Sequence, residues 1–116
     1  MAVELRASQA LKLMHDVNLA LVRDSEQDLS ARQLTILLTV YLEPPPHTVR
    51  GLAAKLNVTK PAITRALDTL GGMRLLSRKR DEADKRNVII TRTVDGALYL
   101  EHLGDLVSEK ARELPR

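Results

Sequence analysis

Three consecutive prolines at positions 44–46 constrain this chain more than any other short stretch. A proline carries no amide hydrogen, and its ring pushes the residue before it out of the helical region. A helix that runs into Pro44 must stop at Glu43, and whatever follows Pro46 starts as a separate element. Upstream, Ser30-Ala31-Arg32-Gln33 has the Ser-x-x-Gln spacing of a capping box, in which hydroxyl and amide side chains satisfy unpaired amides at a helix start. Between these limits Leu34, Ile36, Leu37, Leu38, Val40, Tyr41 and Leu42 are apolar nearly all round, which predicts a buried central helix. Residues 8 to 24 form an earlier helical stripe of Leu11, Met14, Val17 and Leu21, widened by Leu13, Leu19 and Val22 and bounded by Ser8-Gln9 and Asp24-Ser25. That is more apolar surface than a one-sided helix needs, so part of it is expected to meet a second chain.

Beyond the prolines, Thr48 can cap a third helix reaching about Leu56, with Leu52, Ala53 and Leu56 facing inward. Asn57-Val58 interrupts it. Thr59 caps a fourth helix with Pro61 in its first turn, where a missing amide hydrogen costs little. Ile63, Ala66, Leu67 and Leu70 make its buried stripe, and Gly71-Gly72 is expected to mark its frayed end. From Leu75 the period changes to two, so residues 75–80 and 87–92 read as strands joined by a charged tip at 81–86. Two strands are marginal alone, so this hairpin must lean on the helices. Thr93 can cap a last helix in which Val94, Leu98, Leu100, Leu103, Leu106, Val107, Ala111 and Leu114 keep helical spacing to the end. The fold expected is mainly α with a small β-hairpin, one winged helix-turn-helix domain within the 116 residues.

Composition removes several classes of function. There is no cysteine, hence no disulfide, thiolate nucleophile or sulfur-ligated zinc. His15, His47 and His102 lie far apart with no His-x-x-x-His or Glu-x-x-His pair, so no metal or cofactor is expected. No nucleophile-base pair or phosphate-binding glycine loop supports an enzyme. The apolar run at 34–42 is too short for a bilayer, and the first residues do not form a secretory signal, so a cytoplasmic protein is expected.

The net charge of +3 is unevenly spread. Residues 43–92 hold eleven Lys/Arg against five Asp/Glu, a net +6, whereas both flanking segments are net acidic. A solvated basic face would explain that bias; so would a polyanionic partner. The helix pair favours the second reading. Ala53 permits close approach, Asn57 tolerates the left-handed conformation of a tight turn, and Val58 and Ile63 plug the crossing, as a helix-turn-helix requires. The start of the fourth helix would then present Thr59, Lys60, Ala62, Thr64 and Arg65 to the major groove of double-stranded DNA. The competing reading of Arg65 is an exposed residue paired three positions on with Asp68. The hairpin adds Arg78, Lys79, Arg80, Lys85 and Arg86, with Arg86 suited to a narrow minor groove. Asp84 is expected to hold the Arg86 guanidinium, since an acid facing phosphate would be repelled.

With these residues in place the chain resembles the MarR family of bacterial transcription regulators, over roughly residues 8–114. The resemblance is strongest in Leu52-Ala53-Ala54-Lys55-Leu56, in Thr64-Arg65-Ala66-Leu67-Asp68-Thr69-Leu70 and in Arg80-Asp81-Glu82-Ala83-Asp84-Lys85-Arg86, which is similar to the family's wing. Thr93-Val94-Asp95-Gly96 is similar to the start of its next helix. The resemblance implies an obligate homodimer built from the terminal helices at 8–28 and 94–114, a palindromic operator, and release by a small anionic phenolic effector. Residues assigned to the dimer interface are Leu11, Met14, Val17, Leu21, Leu100, Leu103, Val107 and Leu114. Two departures stand out. Arg74 occupies the place where the family usually has glycine, and the family usually has a further helix beyond the one starting near Val94, so dimerisation is expected to differ. The rival expectation is a protein-interaction module or antirepressor that pairs with a longer relative and binds no DNA itself.

Overall fold

A computed structural model describes residues 3–24 and 27–115; Ser25, named above at the end of the first helix, and Arg116 lie outside the described residues. The chain forms α1 (Ala7–Asp24), α2 (Ala31–Leu42), β1 (His47–Thr48), α3 (Val49–Leu56), α4 (Lys60–Gly72), β2 (Leu76–Arg80), β3 (Val88–Arg92) and α5 (Val94–Arg112). It divides into two units, one of residues 29–100 and one of the residues up to 28 together with those from 101 onward.

In the 29–100 unit, α2 begins on the capping box expected of it: the Gln33 amide donates to Ser30 Oγ at 3.1 Å and the Ser30 amide to Gln33 Oε1 at 2.9 Å. Its other end shows what the prolines do. Pro44 and Pro45 cannot donate to the carbonyls of Val40 and Tyr41, which a continuing helix would satisfy. Arg92 replaces both amides, donating from Nε to the Val40 carbonyl at 3.2 Å and from Nη2 to the Tyr41 carbonyl at 3.0 Å. Its guanidinium also lies 5.5 Å from the Tyr41 ring centre. His47 Nε2 donates to the Glu43 carbonyl at 3.1 Å. Ile36, Leu37 and Val40 are fully buried, but Leu42 is 77% exposed, so α2 is a central helix only to its last turn.

Helices α3 and α4 end in the same hydrogen-bond pattern. Val58 N donates to Ala53 O and Asn57 N to Ala54 O; Leu75 N donates to Leu70 O and Arg74 N to Gly71 O. Both are Schellman motifs, which place one residue in the left-handed region. Asn57 sits there at φ 56°, as the sequence predicted. At the second site the residue is Arg74, at φ 63°. As expected, α4 ends at Gly71-Gly72, but both glycines are helical, neither has positive φ, and the left-handed turn falls two residues later on a side chain that resists it.

The core joins Ile36, Leu37 and Val40 to Leu52 and Ala53, to Ile63, Ala66, Leu67 and Leu70, and to Leu75, Leu76 and Ile90. Its buried side chains are all aliphatic; the chain has no Phe or Trp, and Tyr41 and Tyr99 are only partly buried against this core. Two strands were expected; the sheet has three, in the order β1-β3-β2. β2 and β3 pair antiparallel from Leu76 opposite Arg92 to Arg80 opposite Val88, and β1 covers the other edge of β3, with His47 opposite Ile90 and Thr48 opposite Ile89. A two-residue strand is too short for side-chain alternation to betray it. Gly96 closes this unit at the start of α5: a Cβ there would collide with the Leu75 carbonyl oxygen and the Tyr41 hydroxyl. That hydroxyl accepts from the Thr93 amide at 3.0 Å and donates to the Thr93 carbonyl at 2.7 Å.

In the other unit Val17 is the buried residue of α1, and Gln9 Nε2 donates to the Pro115 carbonyl at 3.0 Å. Lys12 and His15 both bond the Asp16 carboxylate and hold it below the usual carboxylate range. Leu11, Met14 and Val22 stand exposed.

Candidate nucleic-acid interface

The position of α4 is set from below. Its apolar stripe is at most 3% exposed at Ile63, Ala66, Leu67 and Leu70, and the Thr59 hydroxyl caps its start by accepting from the Ala62 amide at 3.3 Å. Burying that stripe leaves Thr59, Lys60, Thr64 and Arg65 exposed. Ala62 differs from the other candidates: it is half-buried, in the wall of a groove between α4 and the start of α2.

The ion pair considered between Arg65 and Asp68 is absent. Asp68 instead accepts from Arg78 Nη2 at 2.8 Å, which ties the outer face of α4 to β2. Arg65 is left with a long 3.4 Å bond from Nε to the Pro61 carbonyl, so its terminal nitrogens are open to a partner.

The wing is held by its own polar groups. The Asp81 amide donates to the Asn87 carbonyl at 3.0 Å and the Asn87 amide to the Asp84 carbonyl at 2.9 Å. Arg80 Nη1 closes the turn on the Lys85 carbonyl at 2.7 Å. Asp84 takes the Arg86 side chain in a two-point bond, Nε to Oδ1 at 3.1 Å and Nη2 to Oδ2 at 3.2 Å, and also accepts the Arg86 amide. These bonds from Arg86, with a weaker pull from Arg50, hold the Asp84 carboxyl below the usual range. The Arg86 side chain is nevertheless 85% exposed, because the carboxylate engages one edge of the guanidinium and leaves the other outward.

The five wing cations thus divide. Arg78 and Arg80 spend part of their bonding capacity on α4 and on the tip, Arg86 is oriented by Asp84, and Lys79 and Lys85 carry no side-chain bond among the described residues. Arg50, in the first turn of α3, was not singled out from the sequence; its charge adds a weaker pull on the Asp84 carboxyl. Only tertiary folding brings them together.

The eight residues assigned to a dimer interface fall into different settings. Leu11, Met14 and Val107 are exposed and Leu21, Leu103 and Leu114 half-buried, while Val17 is buried within its own unit and Leu100 packs against the core of the 29–100 unit. Among the described residues no helix is long and apolar enough to cross a membrane, and no cluster of three metal-ligating side chains occurs.

Two helices joined by a left-handed Asn57 turn, followed by a cationic antiparallel hairpin bonded to the second helix, define a winged helix-turn-helix DNA-binding protein. Residues 29–88, just over half the chain, match the MarR family, and the chain belongs to that family of transcription regulators. Its fold is shared with several solved structures. A MarR point mutant from E. coli, crystallised in complex with operator DNA, is 27% identical, with 91% of this chain and 73% of that one covered and a TM-score of 0.70. A MepR point mutant from S. aureus, bound to an oligodeoxyribonucleotide, is 21% identical, with 94% and 81% covered and a TM-score of 0.78. The YusO protein from Bacillus subtilis is 20% identical, with 89% and 72% covered and a TM-score of 0.73. No curated protein sequence matches the chain.

Proposed function

We propose that the protein is a homodimeric repressor that binds a palindromic operator, with α4 in the major groove and the wing in the flanking minor groove. The observation that carries this reading is the Arg78–Asp68 ion pair of 2.8 Å, which joins the outer face of α4 to a hairpin whose Arg86 is aimed outward by Asp84. Thr64 and Thr59 would meet base edges or phosphate, Arg65 would reach from the groove edge to the backbone, and Lys60, Lys79 and Lys85 would contact phosphates. The similar E. coli MarR mutant crystallised with operator DNA supports DNA as the partner.

The dimer is proposed from the segments at 8–28 and 94–114. Exposed Leu11 and Met14 on α1 are apolar surface that a second copy would remove from water. The two recognition helices would then lie about 34 Å apart, one turn of duplex. Selection of bound sequences from random duplexes tests both parts: recovered half-sites should be inverted and spaced by about one helical turn. Winners without symmetry, or no enrichment at all, would overturn the reading. Replacing Leu11 and Met14 with Glu should shift the sedimenting species from dimer to monomer.

A further inference from the structure

We propose that Arg32, at the start of α2, and Arg65, on α4, together grip one phosphate group of the DNA backbone beside the groove that α4 enters, so that α2 is a third DNA-contacting element. This rests on the DNA-binding reading above and adds a contact that neither the helix-turn-helix nor the wing supplies.

The observation is a groove of about 230 Å³ between the two helices, lined by Ser30, Arg32, Gln33, Ala62, Arg65, Ala66 and Thr69. Its lining includes two arginines and no carboxylate. Small side chains at Ala62 and Ala66, one helical turn apart, keep it open. The donors around it are available. Arg32 is exposed and has no hydrogen bond or ion pair among the described residues. Arg65 has only its long bond to Pro61. Gln33 uses its Oε1 in the capping box, which leaves its Nε2 hydrogens free, and Ser30 Oγ accepts there while its own hydrogen remains to be donated.

A hollow rimmed by donors and positive charge fits a phosphate group, with two guanidinium groups supplying paired N–H bonds. Arg32 also borders a second groove with Lys55, but Glu43 neutralises that lysine at 2.6 Å. The preference for an anion therefore belongs to the groove on the α4 side. On α4, Asp68 bonds the wing through Arg78, whereas Ala62, Arg65 and Thr69 line the groove toward α2. A phosphate held there would be contacted from α2 as well as from α4, a contact separate from those of the wing.

The test measures binding of the full chain to a selected target duplex and to an unrelated duplex of equal length, between about 50 and about 200 mM salt. Arg32→Ala should weaken both complexes by a similar factor, on the order of tenfold, and lower the slope of log affinity against log salt by about one per bound protomer. Arg32→Lys should restore the slope. A scan of duplexes carrying one neutral methylphosphonate each should find a position where wild type loses more affinity than Arg32→Ala does. An unchanged slope, a loss confined to the target duplex, or no such position overturns the proposal. If wild type binds neither duplex, the DNA-binding reading itself fails. A melting curve of Arg32→Ala matching wild type separates lost contact from lost fold.

Discussion

The recognition helix and the wing present similar side chains to solvent, yet different forces hold them. Beneath Lys60, Thr64 and Arg65 lies a stripe of four nearly fully buried aliphatic residues. Beneath Lys85 and Arg86 there is no core, only a turn closed by backbone amides, the Asp84 carboxylate and the Arg80 guanidinium. Apolar burial is worth about 1.5–3 kcal/mol per large side chain, whereas surface ion pairs add little net stability. The difference suits the tasks proposed for them: base reading would need a fixed register, and the buried stripe gives α4 a firm seat. A wing that follows variable groove width gains from being held only by polar contacts that can exchange with water.

The largest expected effect strikes the helix. Leu67→Ala leaves a void under α4 and should destabilise the protein by about 2–5 kcal/mol in urea unfolding, with DNA binding lost in proportion to the folded fraction. A small shift in midpoint would mean that α4 is not anchored by the core, and the contrast with the wing would fail. Next comes Arg86→Ala, expected to weaken DNA binding by about 1–3 kcal/mol while leaving the melting temperature unchanged. Asp84→Ala should move binding in the same direction through a misaimed Arg86, again at unchanged melting temperature. A matching drop in thermal stability would show the wing to be part of the cooperative core.

A smaller change sharpens the boundary between the two regions. Arg74 joins α4 to β2 in a left-handed conformation that costs an L residue roughly 1–2 kcal/mol, partly offset by the greater unfolded-state entropy of glycine. Arg74→Gly should therefore stabilise the fold by about 0.5–1 kcal/mol. Gly72→Ala, at a helical position with open space around its Cα, should add a similar or smaller gain. Loss of stability in Arg74→Gly would mean that the arginine side chain compensates for its backbone.

The smallest effect is electrostatic. Because the folded Asp84 carboxyl sits below its ordinary value, its contribution to wing order is complete above about pH 4 and disappears as pH falls through the lowered value. Carboxyl chemical shifts followed by NMR should place the Asp84 midpoint below that of the same residue in the Arg86→Ala variant. Equal midpoints in the two proteins would remove the Arg86 bond as the force orienting the wing.

Much of this molecule was legible before folding, and the legible part is the local part. Ser30-x-x-Gln33, Thr48, Thr59 and the proline triplet set helix limits through groups a few residues apart, and Ile63, Ala66, Leu67 and Leu70 declared a buried face by their spacing alone. The amide-deficient end of α2 was equally evident. What could not be read was which distant group would repair it, because Arg92 lies about fifty residues away and nothing near Pro44 names it. Asp68 had a local candidate in Arg65 and took Arg78 instead, and β1 exists only because β3 offers it an edge. By itself the sequence determined periodicity, caps and breaks, which depend on neighbours along the chain. Tertiary structure alone decided how scattered cations were shared between holding the fold and facing a ligand, because hydrogen bonds and charges choose partners by distance in space.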